Sequence, residues 1–148
     1  SIPKNVEEER FYYSFCPHPL YRLVSLDTYD VNAIRGGGGG GDQQPQRGAG
    51  EMLSERNPNG DKNDWRGMKG LSKRFVQYNG GVGKEQLLWL EQELAAATLA
   101  GQRVIAFGHV PIHPIKAPSN CLVWNYKDVL EVMHKSRCAP PNPATHTH

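Results

Sequence analysis

The chain has 148 residues, 38% of them hydrophobic, and 17 basic against 15 acidic side chains for a net charge of +2. A mean hydropathy of −0.61 confines the core to a few segments, and the balanced charge gives no reason to expect a nucleic-acid or anionic-membrane partner. No apolar run reaches the roughly 20 residues of a membrane helix, no basic-then-apolar leader opens the chain, and Cys16, Cys121 and Cys138 are too widely spaced for a disulfide framework or a C-x-x-C clip, so a cytoplasmic location is expected.

The opening S-I-P-K-N-V-E-E-E-R reads as a linker entering a strand, and the chain is read as a piece of a longer protein. Residues 11–15 (F-Y-Y-S-F) are aromatic and strand-like. The prolines of C-P-H-P-L are expected to end that run, and residues 21–27 (Y-R-L-V-S-L-D) to form the second arm of a hairpin. Asp27 and Asp30 then leave the strand; a strand end and turn with solvated carboxylates explains them better than a working acidic pair.

From Arg35 the composition changes. R-G-G-G-G-G-G-D-Q-Q-P-Q-R-G-A-G buries no side chains and loses much entropy on ordering. Residues 35–73 are therefore expected to form a flexible, Gly-rich insertion. Order is expected again from Arg74. Residues 84–100 form the clearest helix, with Leu87, Leu90, Leu94 and Ala97 at helical spacing, Leu88 and Trp89 widening the stripe, and Gly101 as its stop. Residues 103–107 read as a short buried strand, and 110–120 as a Pro-rich loop. Asn125 is placed to cap a second helix running to about Lys135, with Asp128 as its capping-box relative. The three prolines of C-A-P-P-N-P-A-T-H-T-H exclude a central strand from the tail. Strand, strand, insertion, helix, strand, helix is an α/β pattern. The domain reading is 1–34 and 74–136 as parts of one domain, 35–73 inserted, and 137–148 an irregular tail.

Three features invite chemistry. Gly83-Lys84 before a helix suggests a phosphate loop, but G-x-x-x-x-G-K-S/T would need Gly at Tyr78 and a hydroxyl at Glu85. A helix-entry turn is the better reading, with free N–H groups in residues 79–84 still able to face an anion. His109 and His113 are four apart, yet Pro111 and Pro114 forbid the helix that would pair them on a metal. His109 stands instead at the carboxyl end of a strand, where open α/β sheets place their ligands.

The segments N-G-G-V-G-K-E-Q-L-L-W-L, V-I-A-F-G-H-V-P-I-H-P and C-L-V-W-N-Y-K-D-V-L resemble the calcineurin-like metallophosphoesterases, and among them the manganese-dependent ADP-ribose/CDP-alcohol diphosphatases. Y-Y-S-F-C-P-H-P-L-Y-R-L-V-S-L-D-T-Y-D and N-P-N-G-D-K-N-D resemble the same family. The resemblance covers most of residues 1–138 outside the Gly-rich block. It implies a four-layer α-β-β-α sandwich, of which this chain holds a part with the N-terminal half missing. It also implies two divalent metal ions, with manganese expected, that polarise a phosphate and activate a bridging water for in-line attack. The implied substrate is a small nucleoside-diphosphate-linked molecule whose pyrophosphate is hydrolysed, and the parent enzyme is expected to be monomeric.

The family's G-H-x-P histidine is a metal ligand, and His109 matches it. The D-x-H, G-D-x-x-D and G-N-H-D/E motifs, expected ahead of Ser1, are absent, and the final G-H-x-H is represented at most by A-T-H-T-H. The metal set implied for this chain is thus His109 with His146 and His148, no catalytic residue is assigned, and Cys121 and Asn125 are candidates to line the substrate. So few ligands imply a fragment inactive by itself. The alternative is a non-catalytic remnant that binds a nucleotide through residues 79–84 or docks on another protein.

Overall fold

The computed structural model describes residues 10–34 and 48–137. Two strands, β1 (Tyr13–His18) and β2 (Tyr21–Leu26), pair antiparallel as the hairpin expected. The prolines do not end β1, which continues through Pro17; the register slips between Phe15 and His18, and that irregularity accommodates a residue without an N–H on the outer strand. Strand β3 (Arg103–Gly108) lies parallel to β2, with Leu23 opposite Ile105 and Val24 opposite Ala106. The sheet order is β1-β2-β3.

One face of this sheet is packed. Val24 and Leu26 join Leu90 and Leu94 of α2 (Lys84–Leu99) and Val129 of α3 (Tyr126–Arg137), with Val104 and Ala106 packed against them. The pair Arg22–Glu93, 2.7 Å apart, ties β2 to α2, and Glu93 also accepts from the Ser14 hydroxyl at 2.6 Å. Among the described residues nothing covers the other face: Tyr13, Phe15, Ile105 and Phe107 are each between 44% and 54% exposed. Residues 103–107 are therefore not the fully buried strand their composition suggests. An apolar run cannot distinguish a two-sided burial from a strand with one face open.

Helix α2 ends as expected. Gly101 has φ +65°, and the N–H groups of Gly101 and Gln102 donate to Thr98 and Ala97 carbonyls, closing a Schellman turn. Leu88 does not widen its apolar stripe; it is exposed, while Trp89 is half-buried against the core and its ring contacts Tyr12 at 4.7 Å.

The stretch expected to be a flexible insertion holds structure in its second part. Helix α1 (Ala49–Arg56) buries Ala49 and Leu53 against Met68, Phe75 and Trp124, forming a second, smaller core. The polar composition of residues 57–64 hides a dense backbone clamp: buried Asn57 donates to the carbonyls of Asp64 and Phe75, and the Lys62 ammonium to those of Asn57 and Asn59. Side-chain amides substitute here for a regular ladder. The glycine run and the tail with His146 and His148 lie outside the described residues. Among the described residues no helix is long and apolar enough to cross a membrane.

Candidate functional site

The carboxyl ends of β2 and β3 are locked together by one residue. A Cβ on Gly108 would lie 2.8 Å from the Thr28 methyl, and the Thr28 hydroxyl, fully buried, accepts from the Val110 N–H at 3.1 Å. The backbone on both sides of His109 is thus fixed, and its imidazole stands in solvent at the sheet's end. Its ring lies 5.7 Å from that of Tyr29.

Tyr29 is the residue that sequence reasoning missed. Its hydroxyl donates to the Tyr78 carbonyl at 3.1 Å, and its pKa is raised, first by burial and then by the charge of Cys121. The Asn79 amide donates to the carbonyls of Arg74 and Asn120, and the Asn120 amide donates to the Tyr78 hydroxyl. This network fastens the Cys121 loop to residues 74–79. Tyr29 therefore has His109 and Cys121 as neighbours on one side of the molecule. The signal was in the sequence: Thr28 and Tyr29 follow directly on β2, in a segment that already carried the resemblance.

The Asn125 side chain is engaged by the backbone of Val82. Its carbonyl oxygen accepts from the Val82 N–H at 2.9 Å and its amide donates to the Val82 carbonyl at 2.7 Å. It precedes α3 as expected, but its side chain pins the glycine turn instead of capping its own helix. His113 accepts from the Ile115 N–H through Nδ1, a turn residue apart from His109.

The glycine turn is not an open anion cradle. Gly81 N–H donates to Val31, Val82 N–H to Asn125, and Gly83 N–H to the Asp30 carboxylate at 2.9 Å. Three successive donors already have protein acceptors. The glycines serve close approach: a Cβ on Gly80 would meet the Thr28 carbonyl oxygen at 2.4 Å, and one on Gly83 the Asp30 carboxylate at 2.6 Å. The Asp27 carboxylate accepts the Tyr29 N–H at 2.9 Å, and the Asp30 carboxylate faces the start of α2. Buried Gln86 donates to the Asp27 carbonyl and to Asp30 and accepts the Asp27 N–H, so the start of α2 is held by an acidic residue at its positive end.

Among the described residues no three His, Cys, Asp or Glu side chains converge on a point where a metal ion would sit. One imidazole with a phenol and a thiol nearby does not fit a pair of manganese ions, which take oxygen-rich donor sets. No step of catalysis through metal follows from these residues.

No family model matches the chain. It is 45% identical to the manganese-dependent ADP-ribose/CDP-alcohol diphosphatase of Arabidopsis thaliana, over 84% of this chain and 39% of that protein. The proteins of that name from Oryza sativa and Homo sapiens are 42% and 35% identical, over 96% and 99% of this chain and 43% and 42% of theirs. In structure it is similar to a dimetal phosphatase from Danio rerio, with a TM-score of 0.76 and 36% identity over 84% of this chain and 39% of that one. The chain thus spans about two-fifths of the curated relatives it matches and, over that span, is a homologue in sequence of the manganese-dependent ADP-ribose/CDP-alcohol diphosphatases, with the fold of part of a dimetal phosphatase.

Proposed function

We propose that this chain is the C-terminal part of a calcineurin-like enzyme that hydrolyses the pyrophosphate of ADP-ribose or a CDP-alcohol with two manganese ions, and that it is inactive alone. The observation that carries this is the placement of His109: an exposed imidazole on a rigid strand end, in the G-H-x-P setting of a metal ligand, with no other ligand converging on it among the described residues. In this reading the remaining ligands belong to the part of the relatives' length that the chain does not span. The bare sheet face is where the second sheet of a four-layer α-β-β-α sandwich packs, with Tyr13, Phe15, Ile105 and Phe107 at its centre. Cys121 and Tyr29 then border the substrate, a small molecule, in a monomeric and cytoplasmic parent.

The test is manganese-dependent hydrolysis of ADP-ribose by the purified chain and by His109→Ala. Neither is expected to turn over substrate above background. Turnover that disappears in His109→Ala would overturn the incompleteness of the site.

A further inference from the structure

A second concave site lies away from His109. Its volume is about 320 Å³, and it opens between α1, the segment at Arg74-Phe75 and the first turn of α3. Its floor is apolar: Phe75, Val82 and Trp124 are all buried. Its charged lining is Arg56, Arg74 and Lys127 against one carboxylate, Asp128, three cations to one anion.

These cations are unusually placed. The guanidinium carbons of Arg74 and Arg56 both lie over the Phe75 ring, at 4.1 and 5.4 Å from its centre. Among the described residues none of the three cations forms an ion pair. Arg74 is oriented by the backbone, with Nε donating to the Trp124 carbonyl and Nη1 to that of Leu71. Two like charges over one ring in a partly desolvated cleft repel. Burial holds the Arg74 pKa below its ordinary value; Tyr126 opposes that shift, and the Arg56 charge adds a smaller push in the same direction as burial. An oxyanion in the cleft offsets these positive charges and gives their N–H groups a charged acceptor, which the described residues supply to none of the three cations.

We propose that this cleft binds a phosphate-class oxyanion, free or as a phosphomonoester, through Arg56, Arg74 and Lys127. The volume lies at the small end of ligand pockets. Phosphate lies over the guanidinium fork, with Lys127 contributing a point charge from the first turn of α3. The Phe75 and Trp124 walls leave an apolar surface for whatever the phosphate is attached to. This site holds no residue in common with His109, Tyr29 or Cys121, and it needs no metal.

The test is calorimetric titration of the full chain with inorganic phosphate and with adenosine monophosphate, in EDTA and at constant ionic strength set with chloride. Saturable binding is expected, weakened about tenfold or more in Arg56→Gln/Lys127→Gln. Arg74→Lys, which keeps the charge but loses the fork, is expected to weaken binding as well, and Lys135→Gln, on the far end of α3, to leave it unchanged. Melting curves of each variant with and without ligand separate lost binding from lost folding. Adenosine monophosphate binding more tightly than phosphate assigns the phosphomonoester form, and equal affinity assigns the free oxyanion. No saturable binding by the wild-type chain, or an affinity unchanged in the double variant, overturns the proposal. Because metal is absent throughout, the result is independent of whether the chain hydrolyses ADP-ribose.

Discussion

Asn125 and Val82 are joined by a two-way amide clasp: the side-chain oxygen accepts the Val82 N–H and the side-chain amide donates to the Val82 carbonyl. A side chain far along the sequence thereby completes the backbone hydrogen bonds of the glycine turn. Replacing it with alanine leaves a buried donor and acceptor without partners. Asn125→Ala is expected to destabilise the chain by about 2–3 kcal/mol in urea denaturation. Asn125→Asp keeps the acceptor and loses the donor, so it is expected to fall between the two. A loss below about 0.5 kcal/mol for alanine would show the clasp to be dispensable.

The glycines separate two reasons for the same residue. Gly80 has the Thr28 carbonyl oxygen where a Cβ would go. Gly101 has open space there but a φ of +65°. Gly80→Ala is expected to cost about 2–3 kcal/mol through overpacking, and Gly101→Ala about 1 kcal/mol through backbone strain. Equal costs in denaturation would mean the loop at Thr28 yields freely.

Arg22 and Glu93 hold the hairpin to α2 while both are largely covered. Removing one partner leaves the other charge poorly solvated, so Glu93→Ala is expected to cost about 2–3 kcal/mol. Arg22→Met/Glu93→Leu is expected to recover a good part of that. A double-mutant cycle with no coupling would remove the pair from the stability of the sheet.

Tyr29 gives a signature in alkali. Its phenol has a folded-state pKa above the unfolded value of 10.0. The folded chain then binds the proton more tightly, so its contribution is fully present below pH 10 and is lost as the pH rises through the folded pKa. Denaturation midpoints are expected to fall as the pH rises above 10 through the raised folded-state pKa, and to fall less in Tyr29→Phe. That variant should also lose about 1 kcal/mol near neutrality with its hydrogen bond to Tyr78. A wild-type slope matched by the phenylalanine variant would assign the alkaline loss to another group.

How far the fold could be read depended on where its hydrogen bonds go. The hairpin, α2 and α3 announced themselves because hydrophobic period and local stop signals agree, as at Leu90, Leu94 and Gly101. Helix α1 was hidden behind glycine and polar residues, because Ala49 and Leu53 acquire their value only from Phe75 and Trp124, distant in sequence. His109 was legible from its strand-end position, whereas Tyr29 required knowing that two strand ends meet. Asn125 was misread for the same reason: a cap is a local inference, and its real partner, Val82, is not local.

The open sheet face also governs how the chain behaves as a solute. Three aromatic rings and one isoleucine stand in rows on a sheet whose β3 edge has no further strand beside it among the described residues. Copies meeting face to face cover that surface, at a rate that climbs with the square of concentration. Shelf life, and not melting temperature, is therefore expected to limit a concentrated stock, and Ile105→Lys with Phe107→Glu is expected to lengthen it, as light scattering over days would read, without touching the packed side of the sheet.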